Sequence, residues 1–335
     1  MKGSQMRKLI VLVVVAASLY GGYWFVGRSQ IQYRLTEALV QVDAGEYDLT
    51  YNTMHTRGFP SRFDTTITDL EFGDPATGLK YLAPIFQLFA LSYRPNEVIA
   101  VFPNEQTLDI GGDMFTIITN DMRASGKVRA SATLAVQSAT IEADNPRIRT
   151  QDGAELAMAN LLAAMRLTPE TTQTYDVFLE ARAIVLPEDI RAMIDPQNLQ
   201  PPVVQSLRFD SDVELRSPIE LNGSTDPAQI QNLSLKEFAL SWGDMSLSAI
   251  GEVTPDDNGI LNGSISISAR NWQQGLDLAV STGAVKDERQ FLVTEIANNM
   301  DETPHIPDTL TVTLNIVDGN MMLGMMPLGA APVLR

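Results

Sequence analysis

Cysteine is absent from the 335 residues. That absence removes disulfide frameworks, thiolate metal sites and cysteine nucleophiles together, and it suits a chain that folds in an oxidising compartment without mispairing. Histidine is nearly absent: only His55 and His305 occur. A histidine metal site needs about three donors at one point, so neither residue supports one. Basic residues are also few, 24 Lys and Arg against 41 Asp and Glu, for a formal net charge of −17. A field of that sign repels phosphate backbones and anionic surfaces, which argues against nucleic acid as a partner. Low-complexity linkers and repeats of fixed period are missing as well.

Catalytic signatures are equally scarce. Ser246 and Ser248 fall at alternate positions of a strand pattern and outside any Gly-x-Ser-x-Gly turn. Ser125-Gly126-Lys127 ends as a phosphate loop would, but Asp121 stands where the upstream glycine is needed, and no helical pattern follows. The run Asp256-Asp257-Asn258-Gly259 lacks the alternating acidic loop and distant glutamate of a calcium site, and reads as a solvated hairpin turn. Asp301-Glu302 reads as a charged loop. No catalytic residue, metal ligand or cofactor site is assigned on this basis, and a non-enzymatic role is expected.

What the chain does have is a long uncharged opening. Residues 9–26, LIVLVVVAASLYGGYWFV, are uninterrupted by charge. As a helix rising about 1.5 Å per residue they nearly span a hydrocarbon core of about 30 Å. Lys2, Arg7 and Lys8 precede the stretch, and Tyr20, Tyr23, Trp24 and Phe25 crowd its outer end. Positive residues on one side and an aromatic belt on the other predict a single crossing with residues 1–8 on the cytoplasmic side. The competing reading is a cleaved signal peptide, with Ala16 and Ser18 before the cut. Either reading exports the remainder.

Ile31, Leu35, Ala38, Leu39 and Val42 recur at helical spacing, so residues 27–46 are expected as a helical connector. From Tyr47 the period changes to two, through Leu49, Tyr51 and Thr53, and after Gly58-Phe59-Pro60 again through Phe63, Thr65 and Ile67. The alternation returns from Tyr175 to Ala183 and from Leu207 to Leu215. It is clearest from Phe238 through Ala269, an expected antiparallel meander turning at Gly243-Asp244 and between Thr254 and Gly259. Serine at every second position marks one wet face there. The other face, with Phe238, Leu240, Trp242, Met245, Leu247, Ile265 and Ile267, must be covered by something. A last hairpin is expected from Leu310 to Gly324, turning at Asp318-Gly319. Helices are expected at Ala154 to Leu167, Pro187 to Ile194 and Gln290 to Met300. The expected architecture is mainly β, an apolar N-terminal helix followed by a large antiparallel sheet over 47–335. The proline-rich stretch 196–202 is the candidate division into two sub-domains.

Four spots together carry a family resemblance. They are Gly58-Phe59-Pro60-Ser61-Arg62-Phe63; Tyr93-Arg94-Pro95-Asn96 leading to Phe102-Pro103; Arg123-Ala124-Ser125; and Asp318-Gly319 followed by Leu323-Gly324 and Pro327-Leu328-Gly329. In this order, after an apolar leader, they resemble the domain of unknown function 2125 family, uncharacterised bacterial envelope proteins. The closing element is also distantly similar to AsmA-like envelope proteins. That likeness implies an open, elongated sheet with an apolar face able to shield lipid chains, and fold alone does not settle function.

The resemblance implies placement in the bacterial inner membrane, N-terminus in the cytoplasm and bulk in the periplasm, or periplasmic secretion if the leader is cleaved. Met321, Met322, Met325 and Met326 are the most unusual local cluster, flexible apolar side chains suited to adaptable surfaces. With Phe238, Leu240 and Trp242 they form the candidate apolar groove. The expected partners are the inner membrane through 9–26 and lipid, with another envelope protein docking on a sheet edge as the alternative. A periplasmic hydrolase is the third reading.

Overall fold

The structure, a computed structural model, describes residues 15, 16, 18–27, 29, 48–75, 77–131, 133–221, 229–282, 290–302, 306, 308–324 and 326–333. The described residues up to Ile117, with Met122–Ser125, form one compact unit; Ile118–Asp121 and the described residues from Gly126 onward form a second.

The first unit begins with helix α1, residues 18–27. Its strands are β1 (Asp48–Thr50), β2 (Thr53–Arg57), β3 (Arg62–Asp74), β4 (Leu79–Leu91), β5 (Arg94–Val101), β6 (Glu105–Ile110) and β7 (Asp113–Ile118), with part of β8 (Asp121–Val128). The alternation expected from residue 47 onward is realised in β1 to β3. Strand β3 pairs antiparallel with β1 and β2 on one side and with β4 on the other. Paired residues share a face, so Met54, Ile67 and Phe86 stand together, as do Leu49, Phe72 and Tyr81. Asp69 takes a positive φ of 50°, and the register closes up on Leu70 opposite Ala83. Ile67, Leu70 and Ala83 are the buried centre of this unit's core.

The second unit holds β9 (Val136–Asp144), β10 (Arg147–Thr150), β11 (Glu155–Ala157), β12 (Asn160–Leu167), β13 (Thr174–Val185), α2 (Glu188–Ile194), β14 (Val203–Leu215), β15 (Ile230–Trp242), β16 (Met245–Pro255), β17 (Leu261–Arg270), α3 (Trp272–Ser281), α4 (Gln290–Met300), β18 (Thr309–Val317), β19 (Asn320–Leu323) and β20 (Met326–Ala330). Its main sheet runs β9-β12-β13-β14-β15-β16-β17-β18-β19-β20, antiparallel throughout. The meander and the closing hairpin lie where the alternation places them.

One expectation needs correction. Ala154 to Leu167 is not a helix; it forms β11 and β12. Alanine, leucine and methionine favour helix intrinsically, but β12 is paired along its length with β9 on one side and β13 on the other, and that ladder overrides propensity. Residues 196–202 lie inside the second unit, between α2 and β14, where the buried Asp195 carboxylate accepts the backbone N–H groups of Leu199 and Gln200 at 2.7 and 2.9 Å. Of the apolar opening, residues 9–14 and 17 lie outside the described residues, as do 28 and 30–46 of the connector. Among the described residues no helix is long and apolar enough to cross a membrane.

Candidate functional site

The register of the second unit assembles one continuous apolar face. Reading straight across the strands, Ile141, Ala163, Leu179, Phe209, Phe238, Ala249, Ile267 and Val312 are successive cross-strand partners. The neighbouring row is Ala139, Met165, Val177, Ser211, Leu235, Gly251, Ile265, Leu314 and Leu323. A bulge between Leu235 and Phe238 absorbs one residue, so both rows stay on one side. With strands about 4.8 Å apart, the seven steps from β9 to β18 make a face about 34 Å wide.

Among the described residues, the two ends of this face are buried and its middle is only half-buried. At one end Trp242, Ala181, Ile184, Val204 and Leu278 of α3 form a buried cluster, and Trp242 Nε1 donates to the Pro201 carbonyl at 2.8 Å. At the other end Val253, Leu261, Ile316 and Ala331 form a second cluster. Tyr175, 1% exposed, closes the neighbouring strands, its hydroxyl taking the N–H of Ile219 at 3.1 Å. Between these ends Ala163, Leu179, Phe209, Phe238, Ala249, Ile267 and Val312 are all only half-buried. Ser211 breaks the apolar row with a buried hydroxyl that has no hydrogen-bond partner.

The opposite face is polar. Ser246, Ser248, Ser266 and Ser268 alternate with the apolar residues, and Ser268 shares a hydrogen bond with Thr311 at 3.0 Å. Lys236 sits among three carboxylates, 2.7 Å from Asp212, 3.2 Å from Asp176 and 3.9 Å from Asp210. The Asp212 carboxylate first, and then Asp176, hold the Lys236 ammonium above the ordinary lysine pKa.

The expected groove residues divide. Phe238, Leu240 and Trp242 share the apolar face, Leu240 packing on the Trp242 cluster. Met321 packs with the cluster at the other end. Met322 pairs with Asn315, so it belongs to the polar side of the hairpin. Met326 pairs with Leu323, and Met325 lies outside the described residues. Residues the sequence reading left out, Leu179, Phe209 and Val312, occupy the middle of the face. Tyr175-to-Ala183 and Leu207-to-Leu215 carried the signal as alternation, but only pairing shows that they continue the Phe238 row.

His55 is exposed on β2, and His305 lies outside the described residues. No cluster of three metal-ligating groups occurs among the described residues. The Asp256 carboxylate accepts the N–H groups of Ile260 and Asn258 at 2.9 and 2.8 Å, which hold it below the usual carboxylate range and close the expected turn. A cleft of about 420 Å³ in the first unit is lined by Asp69, Glu71, Glu105, Gln106 and Thr107 with Leu82, Ala83 and Pro84. Histidine and serine are not among its lining residues. Beside it, burial pushes the Tyr81 phenol far above its usual pKa, and its hydroxyl donates to Gln106 Oε1.

Two of the resemblance motifs meet in the first unit, on α1. Trp24 is 3% exposed; its Nε1 donates to the Arg62 carbonyl at 2.8 Å, and its ring stacks on Phe63 and meets Phe59 edge-on. Ser92, fully buried, donates its N–H to the Ser61 carbonyl at 3.0 Å. The Tyr23 hydroxyl donates to the Ser92 carbonyl at 2.6 Å, and the Tyr20 hydroxyl bonds Ser92 Oγ at 2.8 Å. A Cβ on Gly27 would lie 2.7 Å from the Phe63 ring, so glycine allows this approach. Residues read as an aromatic belt therefore also hold the helix on its own sheet.

Fold and face together describe a mainly β protein built on antiparallel sheet, one side of which in the second unit is an apolar surface half-buried in its middle among the described residues. The chain belongs to the family described as an uncharacterized protein conserved in bacteria, DUF2125, whose model matches residues 24–332. No curated protein matches the chain. No solved structure matches it either.

Proposed function

We propose that this protein is a non-enzymatic component of the cell envelope, anchored in the inner membrane by residues 9–26, whose second unit shelters lipid acyl chains on the apolar face of its sheet. The observation that carries the reading is the half-buried middle of that face, from Leu179 through Phe209 and Phe238 to Ile267. A sheet face belonging to a finished core is buried along its length; among the described residues this one is buried at the ends only. Each methylene moved from water onto such a surface contributes about 0.8 kcal/mol. A chain of a dozen or so carbons therefore binds without any polar recognition. The absence of catalytic signatures in the sequence, and the lining of the 420 Å³ cleft, are consistent with binding in place of turnover.

The test is photocrosslinking in cells from benzoylphenylalanine placed at Phe238 or Ile267 on the apolar face, and at Ser248 or Ser268 on the polar face. Adducts of acyl-chain mass from the first pair and none from the second are expected. Equal labelling of both faces, or adducts with protein alone from the apolar pair, overturns the proposal, and the latter outcome favours a docking scaffold.

A further inference from the structure

The base of α1 is surrounded by apolar side chains that are exposed among the described residues. Phe59 is 55% exposed and Tyr93 63%, beside Leu19 at 71% and Phe25 at 62% on the helix. Phe59 is not remote from the apolar stretch but alongside it: a Cβ on Gly21 would lie 3.9 Å from the Phe59 ring, and the Trp24 and Phe25 rings stand 5.2 and 6.2 Å from it. Tyr93 follows Ser92, which is bonded to Tyr20 and Tyr23. The turn after β2 and the turn between β4 and β5 are thus level with residues 20–25 of the helix.

That level decides what covers them. Gly21 lies five residues inside the outer end of the 9–26 stretch, about 7.5 Å along a helix axis. Whatever medium surrounds the helix at Gly21 also surrounds Phe59. Resting on the anchor reading above, we infer that the Phe59 and Tyr93 turns are inserted in the outer-leaflet interface of the bilayer that α1 enters, so that the first unit is seated in the membrane surface. Aromatic side chains with an apolar body are the ones favoured at this depth. The overall negative charge opposes contact with anionic lipid, and the exposed Arg62 and Arg94 of this rim are paired with Asp64 at 2.9 Å and Glu97 at 3.8 Å, so the aromatic side chains and not the charges favour the interface. The occupant is lipid, because residues 18–26 of α1 belong in sequence to the 9–26 stretch that the anchor reading places in the bilayer.

The absence of native cysteine allows a direct test. The full chain, with single cysteines at Leu19, Phe59, Tyr93 or Asp113, is spin-labelled and placed in vesicles of phosphatidylethanolamine and phosphatidylglycerol. Collision rates are then measured with oxygen, which partitions into lipid, and with a water-soluble nickel chelate. Asp113 is exposed at the start of β7, which follows the β6 end paired with Leu79 of β4; the Tyr93 turn is at the opposite end of that strand. The oxygen-to-nickel ratio should be severalfold higher at 59 and 93 than at 113, with 19 higher still. Ratios at 59 and 93 equal to that at 113, with 19 in lipid, overturn the inference and leave the anchor standing. A water-exposed label at 19 overturns the anchor reading itself. Tyr93 donates to no described partner, so Y93C reports the outcome if F59C disturbs the fold.

Discussion

Replacing Trp24 with alanine tests whether α1 is held on the sheet or merely lies beside it. The indole is 3% exposed, so its loss leaves a cavity among Phe59, Phe63 and the helix. Tryptophan-to-alanine changes in such surroundings cost about 3–5 kcal/mol. Within that figure, the ring pairs with Phe25, Phe59 and Phe63 account for about 0.5–1.5 kcal/mol each. The Arg62 carbonyl, left without the indole N–H at 2.8 Å, accounts for about 1–3 kcal/mol if water does not reach it.

The two units need not unfold together, and amide hydrogen exchange is the readout that reports the junction itself. The amides to follow are Arg62, bonded to the Gly58 carbonyl at 2.9 Å, and Ser92, bonded to Ser61 at 3.0 Å. A loss of about 3 kcal/mol accelerates their exchange about a hundredfold. Amides of β16 and β17 in the second unit should be unaffected. W24F, which keeps a ring and drops the N–H, should fall between wild type and W24A. Exchange at Arg62 and Ser92 unchanged in W24A would refute the docking argument, since a side chain so enclosed cannot be removed without cost if the contact exists in solution.

Further expectations concern the same junction and the sheet. G27A gains helix propensity of about 0.5–1 kcal/mol but drives a methyl into Phe63, and a net loss near 1 kcal/mol is expected, read by the same amides. G251A places a Cβ 2.3 Å from the Ser264 carbonyl oxygen across β16 and β17; backbone must move, and urea unfolding should show a loss of about 3 kcal/mol. Because Lys236 has its pKa raised in the fold, its stabilisation is complete below the ordinary lysine pKa and is lost as pH rises through the folded value. The side chain is 42% exposed, so the effect is at most about 1 kcal/mol, and the alkaline fall in urea midpoint should be smaller in K236M than in wild type. Introducing F209E together with I267E in the half-buried middle of the face should remove co-purifying lipid, measured by mass spectrometry of extracts, while the far-UV circular dichroism is retained.

Much of the β architecture was legible because its signal is local. Phe238 to Ala269 alternates with serine, so two-residue periodicity reports both the strands and their wet face, and Gly243 and Gly259 take the positive φ that the intervening turns require. β4 escaped that reading because LKYLAPIFQLFAL is apolar at consecutive positions and carries Pro84, leaving no period to detect. α3 escaped it because Gly275 interrupts an otherwise helical spacing of Trp272, Leu276 and Val280, and Asn271 before it makes no side-chain cap. β12 was misread because Leu161, Ala163 and Met165 favour helix unless strands lie on both sides.

Chain order alone therefore established an uncharged opening stretch, a predominance of alternating strands, the absence of cysteine and the presence of only two histidines, since each is a property of composition or of neighbours a few residues apart. Tertiary pairing decided the rest. That Leu179, Phe209, Phe238 and Ile267 form one row, that Met321 belongs to the cluster at the other end, and that Trp24 finds Phe63 and the Arg62 carbonyl all depend on contacts between residues tens of positions apart. A strand's periodicity shows which side of it is apolar, but only the register between strands brings those sides into one surface.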